Sequence, residues 1–565
     1  MPRTTQLQLF FTDPWCGATP DGLVSERVRV TAELLEDGPA TDRVVTVWRE
    51  GVAPLPFPRR RWAQEDDETA RRRAIAESAL ATVSRALALI EHPEVLGPGR
   101  VIQFPLGRLR IAPNHGEQSN ALYSRAWGGL VFFHAHISHA HSGEHTLHTG
   151  AVHDIVTHEL GHAVLDALAP DLLLALDPES HAVHEAVADL TSFVCALESP
   201  ALRRAFVGAA RLRDLRVLYQ LGEDFAEQLK GLPFLRTLDN YAHKHAHKHA
   251  PETHAPETHA PGPGAPPFDA PEDRISGDRP HTDSLLLSGA LFNLAVWLQQ
   301  VTGVSSAAGD WSTPLTDDVY RAVARQLRRL LFRGLDLLPP GELGFAEVAR
   351  AIVGVDRLIH KVYRGLDRDH GGVKELLREL WRRGVAVDTS FDLLDEELAH
   401  VAPVDVQALL ADPERARRWA LEHKTLLGVP AEATLLTPRV SVNHRQILAR
   451  RSPDDRRWVT RHHAELVVKP VWALREPNPD LPGVPPQRTV RGGATVIFDG
   501  EGGRPLFVLP ARPDPDARGR RDRLVERRFE QGTLSALLEE QASAALSPTG
   551  DESALHRALA ARMFT

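Results

Sequence analysis

The spacing of apolar residues divides the first part of the chain into strand-like and helical stretches. Apolar and polar residues alternate in the N-terminal runs LQLFF, RVRVTAEL and DRVVTVW, which predicts short β-strands. The run AIAESALATVSRALALIEH then has apolar positions every three to four residues, as expected of a helix. VIQFPLGRLRIA and GLVFFHAHI follow as strand-like runs. The pattern predicts a sheet-bearing lobe ahead of the next helix.

Helical periodicity dominates from there to about residue 385, with one interruption. The interruption, AHKHAHKHAPETHAPETHAPGPGAPP, repeats His- and Pro-rich units whose composition cannot form a packed core. Further on, ATVIFDGEGGRPLFVL predicts a hairpin that turns at Asp499–Gly503. We interpret the chain as a β-rich N-terminal segment at 1–75, a core at 76–385 with a disordered insert at 242–273, and a C-terminal α+β domain of unknown role at 386–565.

Length and charge narrow the classes of function. A chain of 565 residues is too long for a single hydrophobic core. Its formal net charge of -9 argues against a nucleic-acid partner, because carboxylates outnumber the Lys and Arg side chains that would neutralise phosphates. The chain has no long apolar run and no signal-like N-terminus, so we expect no membrane partner and a cytoplasmic location, with export by another route left open.

The stretch DIVTHELGHAVLDAL places imidazoles and a carboxylate in an otherwise apolar helix. His158 and His162 are four residues apart, so they lie on one helix face and can share a metal ion, with Glu159 beside them. Zinc suits neutral imidazole, and a catalytic zinc site keeps three protein ligands and one open position. The spacing favours a zinc site with Glu159 as general base, and the alternative is a helix with surface histidines.

A second stretch, HAVHEAVADLTSF, supplies the missing carboxylate. Glu185 lies 23 residues beyond His162, and Asp189 follows one helical turn later on the same face. We predict that Glu185 is the third ligand and that Asp189 holds a ligand histidine in the correct tautomer. His184 is interpreted as a neighbour of the ligands, and the histidines of HAHISHAHSGEHTLH are interpreted as loop residues. Without the upstream helix, these acids would indicate only a solvated face.

Together, THELGHAVLDAL and PESHAVHEAVADL resemble the thermolysin family of zinc metallopeptidases, of the gluzincin class. The resemblance covers roughly residues 75 to 385. It implies an α+β, two-lobe zincin core, in which a sheet-bearing N-terminal lobe, an active-site helix and a helical C-terminal lobe surround Zn²⁺. It also implies hydrolysis of a peptide or protein substrate with Glu159 as general base.

Flanking segments extend the resemblance to substrate binding. NALYSRAWGGLVFF resembles the edge strand on which family members bind the substrate backbone, and this assigns roles to the Asn120 side chain and the Ala121 main chain. An edge strand has free N–H and C=O groups, so an extended peptide can pair with it. FLRTLDN resembles the segment whose arginine grips a substrate carbonyl, which nominates Arg236, and a surface arginine is the alternative.

A later segment, RPHTDSLLLSGALFNLAVWL, resembles the stretch whose histidine stabilises the oxyanion. The resemblance nominates His281 as this catalytic residue, with Asp278 as its orienter. A second alignment through SGALFN places Leu285 at the same position.

The sequence also departs from the family pattern. The family's oxyanion-assisting tyrosine falls on Leu176, so a donor is missing unless another group such as Tyr241 replaces it. Asp154 matches a calcium ligand, but a partner carboxylate falls on Ala196, and Ca²⁺ needs six to eight oxygen ligands. A calcium site is therefore not established by the resemblance.

These departures keep a second function open. Leu176 and the large unmatched C-terminal region fit a non-catalytic, zinc-containing regulatory or partner-binding protein built on the same fold. Its partner would bind the C-terminal domain. Chelator-sensitive cleavage of peptides would distinguish the peptidase from this alternative.

Overall fold

The computed structural model describes most of the chain and mixes helices with small sheets, so the predicted α+β class is confirmed. The described residues are 3–11, 25–32, 39–49, 52–55, 66–139, 143–173, 175–206, 212, 215, 220–221, 236–238, 280–303, 316–362, 376, 379–380, 383, 385, 387, 391–452, 455–511, 517–532 and 534. The predicted insert at 242–273 lies outside them.

The helices of this part are α1 Asp67–Ile90, α2 His153–Leu168, α3 Pro178–Leu197, α4 Pro200–Phe206, α5 Pro280–Asp283, α6 Leu285–Gly303, α7 Asp317–Asp336, α8 Phe345–Val362, α9 Phe391–Ala399, α10 Val406–Ala411, α11 Pro413–Glu422 and α12 Ala517–Glu530. The strands are β1 Arg3–Phe10, β2 Ser25–Ala32, β3 Val44–Thr46, β4 Leu109–Ala112, β5 Ala121–Ser124, β6 Gly129–Phe132, β7 His134–His139, β8 Gly143–His148, β9 Gln220–Leu221, β10 Arg236–Thr237, β11 Thr434–Leu435, β12 Arg439–Ser452, β13 Asp455–Lys469, β14 Val471–Pro477, β15 Gln487–Asp499 and β16 Pro505–Pro510. None of these helices has the length and apolar character needed to cross a bilayer.

A mixed four-stranded sheet forms the N-terminal lobe, with the strand order β3-β4-β6-β5. β5 is at its edge and pairs with β6 in antiparallel register. Helix α1 packs beside the sheet and begins at Asp67, where the Asp66 side chain accepts a hydrogen bond from the Thr69 N–H at 2.7 Å. The helix therefore begins before its apolar periodicity does, because the cap and a charged first turn specify its start.

Helices α2 and α3 pack against each other with almost no space between their backbones. A Cβ atom placed on Gly161 would lie 2.7 Å from the Cα of Ala188 and 3.0 Å from the Thr191 hydroxyl oxygen. Near the start of α2, the Thr157 hydroxyl oxygen lies 3.1 Å from that of Ser192. Only glycine permits this approach, so the small residue in THELGH fixes the distance between the helices.

The C-terminal part contains a six-stranded antiparallel sheet with the order β11-β14-β15-β13-β12, and β16 pairs with β15. The predicted hairpin is confirmed, with its turn closed by a 2.8 Å hydrogen bond from the Gly503 N–H to the Asp499 carbonyl. One set of its apolar residues packs against α9 to α11, but Ile497, Phe507 and Leu509 belong to the large core around α2 and α3. The proposed domain boundaries stay a prediction.

Buried charges join this sheet to the helical region. Arg445 on β12 is 1 % exposed and contacts Glu465 at 2.9 Å and Asp336 at 2.6 Å. It also donates to the main-chain carbonyls of Val95 and Leu96. Burial raises the pKa of Asp336, but Arg100 and Arg445 outweigh burial and hold that pKa below its usual value. A buried charge without its partner is costly, so these ion pairs favour the observed contact between the sheet and the helical region.

Replacing Gly161 by alanine is expected to lower the free energy of unfolding by about 1–3 kcal/mol, because the added Cβ overlaps the α3 backbone. Gly519→Ala is the matched control, since its Cβ would meet only the flexible Arg523 side chain at 3.4 Å. Denaturant unfolding measures both variants. A Gly161→Ala protein as stable as the Gly519→Ala protein would contradict the close packing.

Candidate metal centre

Three predicted ligands meet between α2 and α3. The Nε2 atoms of His158 and His162 lie 3.2 Å apart. Glu185 places Oε2 3.4 Å from His158 Nε2 and Oε1 3.7 Å from His162 Nε2. The structure therefore brings together the ligand atoms that the two motifs predict. The two histidines come from adjacent turns of α2, and the glutamate comes from α3, which packs against it.

Each histidine has a buried partner on its other ring nitrogen. Nδ1 of His158 lies 3.0 Å from Oδ1 of Asp189, a fully buried carboxylate. Nδ1 of His162 lies 3.2 Å from Nδ1 of His184, whose ring stacks on it. Because the Asp189 carboxylate only accepts, it places the His158 proton on Nδ1, and the Nε2 lone pair then faces the site.

The donor set fits zinc. Two ligand atoms at about 2.0–2.1 Å from a tetrahedral ion are about 3.4 Å apart, which is close to the observed separations. Facing imidazole lone pairs repel each other unless a cation lies between them. Burial raises the pKa of Glu185, but the rings of His281 and His162 outweigh burial and hold this pKa well below its usual range. A low pKa suits a carboxylate that would coordinate zinc, because a zinc ligand must be deprotonated.

Glu159 is placed to move a proton. Its side chain is 6 % exposed, and its Oε2 atom is buried without a hydrogen-bond partner among the described residues. An unpartnered carboxylate oxygen is costly unless a ligand or water pairs with it. The orphaned oxygen lies on the helix that carries both histidines and suits a general base.

His281 also lies at the site, on the short helix α5, which packs against α3. Its Nδ1 atom is 2.6 Å from Oε2 of Glu185, and its side chain is 58 % exposed. The ring therefore occupies the solvent side of the ligand set. Leu285, the alternative from the second alignment, begins the following helix. Asp278, which was predicted to orient His281, is outside the described residues.

The predicted substrate-binding strand is an edge strand. Strand β5 begins at Ala121. The Ala121 N–H donates a hydrogen bond to the side-chain oxygen of Asn120 at 2.9 Å. The Asn120 carbonyl accepts from the Thr149 hydroxyl at 3.3 Å, just before α2. A hydrogen bond therefore links Asn120 to the segment that leads into α2. The Arg236 main chain is in β10, but its side chain lies outside the described part.

Leu176 lies in the loop between α2 and α3, where its N–H donates to the Glu342 side chain at 2.9 Å. It offers no hydroxyl, and Tyr241 lies outside the described residues. Tyr123 donates its hydroxyl to Asp166 at 2.7 Å and is buried. Among the described residues, no tyrosine hydroxyl lies at the candidate ligands to replace the one that Leu176 lacks.

Residues far along the chain hold the loop that joins α2 to α3. Asp177 forms a two-pronged ion pair with Arg520, at 2.9 and 2.6 Å. Asp171 accepts from the Gly341 N–H at 3.2 Å and contacts Arg491. At Gly341 the backbone has φ +105°, and a Cβ would lie 2.4 Å from the Arg491 carbonyl oxygen, so glycine is required there. We call these contacts the loop clamp.

Asp154, which matches a calcium ligand of the family, makes local hydrogen bonds. Oδ1 of Asp154 accepts from the Ile155 N–H at 2.8 Å, and the Asp154 carbonyl accepts from Ser192. Ala196, at the expected partner position, is buried and apolar. Within the described residues, Asp154 joins no cluster of three metal-binding side chains.

Two features escaped prediction from the sequence. The histidines that follow the predicted strand GLVFFHAHI were expected in a loop, but β7 continues to His139 and pairs with β8 in a hairpin. The expectation is wrong because alternating His and Ala is a period-two pattern, and that signal was available. The loop clamp could not be predicted from a local sequence pattern, because Asp177 and Arg520 are 343 positions apart.

Comparison with protein-family models gives no match, and comparison with curated proteins finds no significantly similar relative. The resemblance to the thermolysin family rests on the motifs quoted above.

Asp189→Asn is expected to weaken zinc binding by about 10–100-fold, because the amide no longer fixes the His158 tautomer as a carboxylate does. Chelator competition measures the affinity. Asp480→Asn, at an exposed position, is the control. Equal affinities for both variants would contradict the role of Asp189.

Glu179, at the start of α3, predicts a pH effect on stability. Burial and the nearby Asp177, opposed by Arg520, raise its pKa from 4.5 to about 8. The folded state therefore holds this proton more tightly, and the resulting stability is present below pH 4.5 and is lost as the pH rises through 8. Between these pH values, the free energy of unfolding of Glu179→Gln should depend less on pH than that of the wild type. The difference in slope should be at most about 1.4 kcal/mol per pH unit. Glu501→Gln, in an exposed turn, should follow the wild type.

Proposed function

We propose that the chain is a zinc-dependent metallopeptidase of the thermolysin-like, gluzincin type, which hydrolyses peptide bonds. The observation that supports this most directly is the convergence of His158, His162 and Glu185 beside the orphaned carboxylate oxygen of Glu159. A structural zinc site is closed by four protein ligands and needs no such base. The donor set here is three, and its solvent side carries an exposed histidine.

His158, His162 and Glu185 would hold the ion, and Asp189 with His184 would keep the imidazoles oriented. Bound zinc supplies Lewis-acid chemistry, which polarises a carbonyl group and makes water more acidic. Glu159 accepts the proton of the attacking water and later delivers it to the leaving amine.

Substrate binding follows from the edge of the sheet. An extended peptide adds to the edge of β5 at Ala121, where it replaces the Asn120 side chain as the partner of the Ala121 N–H, and the freed Asn120 side chain contacts the peptide backbone. The strand packs against α2, so the peptide is brought close to Glu159. His281 donates to the developing oxyanion, and Arg236 is assigned a substrate carbonyl by the resemblance alone.

A second candidate is a non-catalytic zinc protein with a partner on its C-terminal part. Two observations favour it: Leu176 replaces the family's tyrosine, and the His281 ring contacts the ligand Glu185 rather than an open space. Losing one oxyanion donor lowers kcat by about 10²–10³, so slow turnover fits the first proposal as well.

Glu159→Gln decides between them. This variant keeps the shape of the side chain but cannot take a proton, so kcat on a peptide library should fall by about 10²–10⁴ while bound zinc stays at the wild-type level. Glu414→Gln, exposed on α11, is the matched control and should retain full activity. Zinc content and cleavage are measured on the same preparations.

Glu185→Gln should lose both zinc and cleavage, which separates loss of the ion from loss of the base. Wild-type cleavage should stop with chelator and return with zinc. Bound zinc with no cleavage of any peptide would favour the second candidate, and full activity of Glu159→Gln would overturn the proposed mechanism.

A further inference from the structure

A second group of side chains that could hold a metal ion lies on the N-terminal lobe, where β7 runs beside the segment that precedes β5. One ligand atom from each of Glu117, His134 and His136 lies within 4.8 Å of the others. The two histidines are two residues apart on a strand, so they project from the same face. Glu117 pairs with His134 through a parallel bridge. This bridge is supported by hydrogen bonds from the Gln118 N–H to the His134 carbonyl and from the His134 N–H to the Gly116 carbonyl.

Both imidazoles are already oriented by oxygen atoms. Nδ1 of His134 lies 2.7 Å from Oδ1 of Asn114. Nδ1 of His136 lies 3.1 Å from the hydroxyl oxygen of Thr146, its cross-strand partner on β8. An amide oxygen accepts, so the His134 proton is on Nδ1 and the lone pair is on Nε2. The Thr146 hydroxyl can accept in the same way, and this arrangement is the one found behind metal-bound histidines.

We propose that Glu117, His134 and His136 bind a divalent transition-metal ion of the zinc class. Two imidazole nitrogens and one carboxylate suit zinc, whereas calcium and magnesium prefer oxygen ligands. Glu117 and His136 are exposed and His134 is half-buried, so water completes the coordination. The ion joins the segment that precedes Asn120 to β7. Binding does not depend on peptidase activity, since no residue is shared with the first centre.

The test is zinc binding by the full chain, measured by equilibrium dialysis with zinc chloride. The wild type should bind one zinc ion more than the His134→Ala, His136→Ala double variant. The matched control is the His400→Ala, His462→Ala double variant, which removes two exposed histidines elsewhere and should bind as the wild type does. Any zinc collected by the His-rich insert is common to all three proteins and cancels in the comparison.

Glu117→Gln covers the case in which the double variant fails to fold, because the amide has the same shape as the carboxylate. It should weaken zinc binding at this site at least about tenfold, with an unchanged circular dichroism spectrum. His158→Ala should lose the first centre but retain this one, so the two proposals fail separately. Equal zinc stoichiometry and affinity in the wild type and the folded hairpin variants would overturn the second site.

Discussion

The contact of Gly161 with the α3 backbone is the constraint on which the metal centre depends. It allows two helices to approach until imidazoles from one and a carboxylate from the other share a volume a few ångströms across. A wider separation would leave Glu185 too far from His158 to coordinate the same ion. Packing thus sets the chemistry, because the ligand distances follow from a backbone contact made by a residue that has no functional group.

Buried polar and charged pairs surround this contact between the helices. The ligand histidines have buried partners in Asp189 and His184, while Glu185 is surrounded by imidazoles. Farther out, buried arginines pair with carboxylates at the junction with the C-terminal sheet. Each group is costly when buried alone, so the pairs restrict the structure to one arrangement. The side chains of the candidate site are consequently held by several contacts each, and the exposed His281 ring lies beside them.

Sequence patterns predicted those features of the fold and the candidate site that depend on residues close together in the chain. The spacing of His158 and His162 fixes a helix face, and Glu185 with Asp189 fixes a second. The same logic gave the β15–β16 hairpin. It missed the start of α1, which a polar cap specifies, and the β7–β8 hairpin, where histidines conceal a period-two pattern. Contacts such as Asp177 with Arg520 come from tertiary packing, and no window of sequence contains both partners.

The loop clamp has a consequence for biosynthesis. The loop between α2 and α3 is held by Arg491 and Arg520, which leave the ribosome long after the helices themselves. During translation the ligands are therefore made early, but the connection between them is fastened late. A nascent chain therefore carries both helices before the arginines that hold the loop between them, so this loop acquires its final contacts only when synthesis is almost finished.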